Sequence, residues 1–588
     1  MNITESPKVA LEAKYGSDLI VDMLKAFDVE YIAFNPGATF RGIHESIVDY
    51  GGNTMPEVID DSQEEIAVAK AHGYARVKRR PMAAIVHDFV GLLHSTIAIF
   101  CAFTDYAPVL VVGATGPMDL TKRRAGIDWI HTALVNGNVV RDYVKWDDQP
   151  ASIESIPETI IRAHRVAMQE PQGPVYVCFD AALQEGEMKK KISPPDVSKY
   201  PAATPVSPDP EALGTVADLL LAAENPIIMA DMVGRNPAAV SDLIKLAELT
   251  GTPVMDLGTR FNFPNTHPLD ATLTDLHKNS DLLLALDVPE LESKVTETDQ
   301  LTRIVTSSLR ADCKIIRMGV SDLTIRSLIQ NYYRLVPADM VVTADTSIAL
   351  PQLAKLCNDK ITPQMAPRIS ERSERLRESH SKTRAKWMED AKRGRGNKPI
   401  TTARLALEVW KIIAEEDWVL TSLHTQKTWP RKLWDWERPD CYGGRDLGTA
   451  TNIGISLGVA LAYKNTNKVV IDLQPDGDLL YDASSIWTAA HHHIPILVVM
   501  LNNRGYWNDW DHQLRVTKKR NRPLDKANIG VEIDNPPPNF AQLAESMGCF
   551  GVGPIEDPDK INEALTTALR AVKQERTLAI VDVITEPH

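Results

Sequence analysis

The sequence predicts an α/β chain built as three doubly wound parallel-sheet domains. Three observations carry this. Strand-like and helix-like apolar patterns alternate through most of the 588 residues. Two polar or charged stretches, 186–209 and 358–398, divide that alternation into three blocks. The last block holds a segment that reads as a complete strand–turn–helix–strand unit. Three such blocks imply separate sheets rather than one large core.

The first domain, 1–185, has strand candidates at 31–34, 83–86, 109–112 and 175–179, with a helical pattern at 64–76. Residues 186–209 are Pro- and Lys-rich, including Lys189-Lys190-Lys191, and read as a linker with a solvated charge run. The central domain, 210–357, has strand candidates at 226–230, 253–256, 282–286, 314–316 and 340–343. Residues 358–398 carry Arg and Glu at helical spacing with both signs interspersed, which suits an exposed helical connection. The third domain, 399–588, ends in an apolar strand at 578–584.

Composition removes several classes of partner. Net charge is −14 and the pI about 5.6, so neither nucleic acid nor an anionic membrane is expected. No apolar stretch approaches the length of a transmembrane helix. The N-terminal residues lack the basic and apolar regions of a secretory signal. Six scattered cysteines form no C-x-x-C pair, which points to reduced thiols and a cytoplasmic location.

The most informative segment runs from Pro475 to Tyr506. An apolar run, 468–473, feeds a tight turn at Asp476-Gly477, and a second run, 496–501, ends at Asn502-Asn503. In a βαβ unit both ends lie at the carboxyl edge of a parallel sheet. An Asp and an Asn there offer hard oxygen ligands for a Mg²⁺ that also holds phosphates. A helix opening after Gly477, at Asp478, would aim free N–H groups at those phosphates. In the first domain Glu64 and Glu65 open a helical pattern whose Ala67, Ala71 and Ala75 share one face.

Together these segments resemble the thiamine diphosphate (ThDP) enzymes, through the G-D-G…N-N signature of the third domain and the E-x-x-A…A-x-G-Y-A-R pattern of the first. The resemblance covers about residues 15–588 and is closest in wording to benzoylformate-decarboxylase-like members. It implies ThDP and Mg²⁺ as cofactors, with Asp476, Asn503 and the Gly505 carbonyl on the metal. Pro475 stands where the family has the first Gly of its motif. Alignment on Gly73-Tyr74-Ala75-Arg76 makes Glu64 the glutamate that meets the aminopyrimidine ring, and places Pro36 and Gly37 in the loop beside it. Ile453 becomes the aliphatic wedge under the cofactor, and Leu423, His424, Thr425 and Gln426 the loop near the diphosphate.

On the substrate side, the resemblance assigns His87 to the active-site histidine of benzoylformate-decarboxylase-like enzymes. His131-Thr132, with Asn136-Gly137, is similar to the H-H-T region of pyruvate decarboxylase, and Asp509 falls near the acidic pocket residue of that enzyme. Two His and one Asp could move protons around a carbanion/enamine. The implied reaction is decarboxylation of a 2-oxo acid, with protonation of the enamine or its addition to an aldehyde. Alternatives are an acetolactate synthase with FAD, which the 86–94 loop disfavours, a C–C hydrolase or lyase on a diketone or acyloin, and a non-catalytic ThDP-binding relative. The family also implies a homodimer or homotetramer with active sites at subunit interfaces.

Overall fold

The computed structural model describes residues 11–126, 128–324, 334–423, 428–445, 448 and 450–587. They divide into two compact units, Met1–Ala203 and Thr204–His588. Three parallel α/β sheets of six, five and five strands account for the architecture.

The first unit holds β1 (Tyr31–Phe34), β2 (Glu57–Asp60), β3 (Ala83–Val86), β4 (Leu110–Thr115), β5 (Asp147–Asp148) and β6 (Val175–Asp180). Their order is β2-β1-β3-β4-β6-β5, and every pairing is parallel. The chain therefore runs to opposite sides of β1 on its first two crossovers. The crevice outside the carboxyl ends of β1 and β3 is the topological switch point, where open α/β sheets bind ligands. Strands β1, β3 and β4 are buried along their whole length, as a sheet covered by helices on both faces requires.

The second unit contains two sheets. The central one comprises β7 (Pro226–Ala230), β8 (Val254–Asp256), β9 (Leu282–Leu286), β12 (Lys314–Gly319) and β13 (Met340–Thr343), in the order β13-β12-β9-β7-β8. A small antiparallel hairpin, β10 (Thr296–Thr298) with β11 (Val305–Ser307), is inserted between β9 and β12. The last sheet comprises β14 (Trp418–Ser422), β15 (Val469–Pro475), β16 (Leu497–Asn502), β17 (Phe550–Ile555) and β18 (Ala579–Ile584), in the order β14-β15-β16-β18-β17.

That these two sheets share one unit is not visible in the sequence. Buried side chains join them. Arg431 lies 3.2 Å from Asp256, both almost fully buried. The Asn265 amide donates to the carbonyls of Arg431 (2.7 Å) and Trp434 (2.9 Å) and accepts from the Trp436 N–H (2.8 Å). The helix Ala366–Asp390 is mostly exposed, as its mixed charge suggests. One buried arginine on it, Arg372, donates to the carbonyls of Gly251 (2.9 Å), Thr250 (2.6 Å) and Glu224 (2.9 Å). A planar guanidinium with five donors suits such a cluster of helix-end carbonyls.

Among the described residues none of the six cysteines forms a disulfide. Among the described residues no helix is long and apolar enough to cross a membrane.

Candidate active site

In the first unit the candidate residues gather at the switch point. Glu64 opens the helix Glu64–Lys78, three residues past Asp61, whose backbone N–H bonds back to the Phe34 carbonyl at the end of β1. The Glu64 side chain is only 4% exposed. Its Oε1 accepts from Asn35 Nδ2 at 3.3 Å, and its Oε2 lies 3.2 Å from His94 Nδ1. Gly91 makes this approach possible. A Cβ there would stand 2.9 Å from Glu64 Oε1 and 2.9 Å from the His87 Cβ.

His87 follows β3 directly. Its Nδ1 accepts the Asp88 backbone N–H at 2.9 Å and lies 2.8 Å from Thr39 Oγ1. A backbone N–H can only donate, so Nδ1 is the bare nitrogen and Nε2 carries the proton. Burial, reinforced by the nearby His131, holds the His87 imidazole below its usual pKa and favours the neutral ring. The His87 and His131 ring centroids are 5.1 Å apart, so the fold brings together the two histidines named from the sequence. Gly37 packs on the same ring: a Cβ there would lie 2.7 Å from His87 Cγ. Pro36, beside it, is exposed.

Asp88 was not singled out by the sequence reading, yet it organises this edge. It is fully buried and caps the helix Phe89–Thr104 through Phe89 N at 2.8 Å. The same carboxylate accepts from Asn136 Nδ2 (2.9 Å), Thr132 Oγ1 (2.9 Å) and Gly116 N (3.1 Å). Burial pushes the carboxyl up while these four bonds pull it down, and burial prevails. Asp88 thus ties the segment carrying His131 to the strand end carrying His87. An Asp immediately before an apolar helical run is an N-cap signal, and that signal could have found it. Replacing Asp88 with Ala leaves four donors without this acceptor. The expected loss is about 3 kcal/mol of stability, read as a lower urea midpoint.

In the second unit β15 and β16 lie side by side, with Pro475 paired to Leu501. This register sets Asp476 and Asn503 next to each other at one edge. Asp476 is 2% exposed. Its Oδ1 accepts from Gly477 N at 2.8 Å and its Oδ2 from Gly505 N at 3.3 Å. Asn503 Oδ1 accepts from the same Gly505 N at 3.2 Å, so the two side-chain oxygens converge on one amide. Burial lifts the Asp476 carboxyl to about 6. Asn502 turns instead to Asp582 on β18, at 3.0 Å, which leaves Asn503 as the residue at the edge. Arg504 takes a left-handed turn (φ +58°), and the Gly505 carbonyl accepts from Trp507 N at 3.0 Å.

Pro475 is accommodated without strain. Its φ of −70° is the value the ring imposes, and the pairing of β15 with β14 ends at Asp472, before the proline. The helix that follows opens at Asp476 rather than after Gly477, and runs only four residues to Leu479. A Cβ on Gly477 would lie 2.5 Å from the Tyr506 ring. Asp478 accepts from Ala450 N (3.0 Å) and Gln474 Nε2 (3.2 Å), tying this turn to the helix Thr451–Ala462. Ile453, on that helix, is 1% exposed, and Leu423 is buried after β14. His424, Thr425 and Gln426 lie outside the described residues. Asp509 is exposed in the first turn of the helix Trp507–Lys519.

Each of these two clusters lies at the carboxyl edge of a parallel sheet, the place where open α/β folds bind ligands. Residues 14–135 match the N-terminal TPP binding domain of thiamine pyrophosphate enzymes, and residues 426–583 match the C-terminal TPP binding domain. The chain carries both TPP binding domains of this family, and these domains imply thiamine diphosphate as the cofactor. It is similar to a probable acetolactate synthase large subunit of Methanocaldococcus jannaschii, at 23% identity over 94% of this chain and 90% of that protein. The acetolactate synthase large subunit of Haemophilus influenzae is 22% identical over 97% of this chain and 95% of its own length. Among solved structures, benzoylformate decarboxylase from Polynucleobacter necessarius shares the fold with a TM-score of 0.74, at 20% identity, covering 97% of this chain and 99% of that one. The 4-hydroxybenzoylformate decarboxylase of Rhodococcus jostii RHA1 gives 0.74 at 19% identity, covering 98% and 99%.

Proposed function

We propose that this protein is a ThDP- and Mg²⁺-dependent enzyme that acts on 2-oxo acids by non-oxidative decarboxylation, with or without acyloin-type carboligation. The observation that carries this reading is the buried Glu64 carboxylate beside a neutral His87 that itself faces His131. ThDP supplies the thiazolium electron sink when bound. Glu64 would exchange a proton with the aminopyrimidine ring, while His87 and His131 would hold and release protons at the substrate carbon. Asp509 remains a candidate for the same proton traffic.

The donor set on the other sheet fits Mg²⁺. Asp476 and Asn503 present hard oxygens, and the buried Asp476 carboxylate accepts from the backbone N–H groups of Gly477 and Gly505. Asp476, Asn503 and the Gly505 carbonyl would hold the metal, with Gly477, Asp478 and the 423–426 loop near the diphosphate. Ile453 would support the folded cofactor from below, and Pro36 and Gly37 would flank its pyrimidine end. The domain boundaries expected from the sequence are retained in this reading, as is assembly into a homodimer or homotetramer.

FAD is not part of the proposal. The carboxyl ends of the central strands carry Asp231, Asp256, Asp287 and Asp345. Asp231 accepts from Thr259 N, Asp256 from Asn262, and Asp287 and Asp345 pair with Arg235. Each of these carboxylates is thus already engaged by a protein group, Asp256 by Arg431 as well.

A panel of aliphatic and aromatic 2-oxo acids, each with and without an aldehyde acceptor, tests the function. CO₂ release that requires ThDP and Mg²⁺, with aldehyde or acyloin as product, is the expected result. Cofactor-dependent stabilisation without turnover of any panel member would leave a binding protein, and would overturn the enzymatic reading.

A further inference from the structure

The chain leaves β16 at Asn503, so the carbonyls of the turn behind it get no partner from the sheet and must be met one by one. The last ladder bond is at Asn502, whose carbonyl accepts from Thr585 N at 2.9 Å. The Arg504 carbonyl accepts from Ile533 N at 2.8 Å. Those on either side of it are met by a single residue. Trp507 donates its indole Nε1–H to the Asn503 carbonyl at 3.1 Å and its backbone N–H to the Gly505 carbonyl at 3.0 Å. Between these two carbonyls lies Arg504, in the left-handed conformation (φ +58°) that a residue with a side chain keeps only when its surroundings enforce it. Trp507 opens the helix Trp507–Lys519, and helical side chains lean towards the N-terminus, which brings the indole back over the turn. The ring also packs on Gly505, where a Cβ would stand 3.6 Å from Nε1. Trp510 stacks on Trp507 at 4.2 Å and 13°, but its own backbone N–H goes to Tyr506, beyond the turn.

We infer that Trp507 is a positioning residue for the cation, acting through Asn503 and Gly505 rather than on the reacting atoms. This role rests on the metal site proposed above. A carbonyl oxygen carries two lone pairs. At Gly505 the Trp507 N–H takes one of them, and the other stays available to a cation. At Asn503 the indole holds the main chain, and the side-chain Oδ1 is left at the edge beside Asp476, with both side-chain oxygens on Gly505 N. Braced in this way, the ligands stand in place before the ion arrives, and binding does not have to order them. All of these bonds are made within one chain. Removing a partner that orients a metal ligand weakens metal binding by about 10- to 100-fold.

Two variants and two measurements test this. Trp507→Phe keeps an aromatic ring and the backbone N–H but loses the indole donor. Trp510→Phe removes the other indole of the stack and leaves both bonds to the turn. Mn²⁺, a paramagnetic stand-in for Mg²⁺, is titrated in the presence of ThDP, and the free ion is counted by electron paramagnetic resonance. Trp507→Phe should bind Mn²⁺ about 10-fold more weakly than the wild type, while Trp510→Phe should bind it nearly as well. Amide H/D exchange of the cofactor-free proteins gives the second readout. Peptides spanning 503–507 should exchange faster in Trp507→Phe, with the protection of β15 and β16 unchanged. Wild-type Mn²⁺ affinity in Trp507→Phe would overturn the positioning role and leave the proposed metal site standing. Equal weakening in both variants would trace the effect to the stack, and faster exchange throughout β15 and β16 would trace it to a loosened sheet. Either result overturns the role as well. A wild-type protein that binds no Mn²⁺ with ThDP, or an Asp476→Asn variant that binds it as tightly as the wild type, would remove the metal site and the positioning role together.

Discussion

Replacing Glu64 by Gln should lower turnover on the best 2-oxo acid by about 10²- to 10⁴-fold, the range a positioned acid–base group supplies. The fold should survive the change. Gln has the same shape, its carbonyl can keep the bond from Asn35, and its amide can donate to His94, so neither partner loses its bond. What the variant removes is the capacity to gain and lose a proton at this position. Steady-state rates at saturating ThDP and Mg²⁺ check the first claim, and an unchanged thermal midpoint of the cofactor-free protein checks the second. Full turnover in the variant would take Glu64 out of the reaction. A lower thermal midpoint would show that the carboxylate serves packing instead.

How far the site was legible in the sequence depended on whether a residue's role is local. Strand ends are local features. An apolar run closed by Asp476, or by Asn502-Asn503, can be read without knowing its neighbours, and both ends fall at the carboxyl edge expected of them. His87 was equally legible, as the residue after β3. Asp88 and His94 were not, because their roles lie in partners far along the chain. Asp88 bonds Thr132 and Asn136, more than forty residues away, and His94 meets Glu64 across thirty. The joining of the central and last sheets escaped notice for the same reason. It rests on Asn265 reaching the carbonyls of Arg431 and Trp434. Pro475 illustrates the opposite case. As a letter it departs from the family motif, but its φ of −70° shows that the turn takes a shape a proline also adopts.

The second large effect concerns Asp476, and here the sign of the pH dependence identifies the group. Burial raises its carboxyl from 3.8 to about 6 in the cofactor-free fold, despite the amide bonds that favour the anion. The ionised form is therefore the costly one. That cost is fully present above about pH 6 and disappears below the unfolded-state value. By itself this group makes the cofactor-free protein more stable as pH falls from 6 towards 4, by up to about 3 kcal/mol. Cation binding runs the other way, because only the anion is a good ligand. Below pH 6 a proton must leave before the metal can bind, so the affinity for Mg²⁺ with ThDP should fall by up to about tenfold per pH unit. Thermal shifts induced by ThDP plus Mg²⁺ at about pH 7.5, 6.5 and 5.5 would record this as stabilisation that shrinks with acid. Asp476→Asn keeps an oxygen at the position but removes both the charge and the titration. In that variant the induced shift should be largely lost at every pH, and the acid-linked gain of the cofactor-free protein should vanish with it. A variant that still binds the metal with the wild-type pH profile would place the cation elsewhere. Loss of metal response with the acid-linked gain intact would separate the ligand from the titrating group. The two readouts depend on the same buried carboxylate through opposite signs, so a general loss of stability in the variant could not imitate them both.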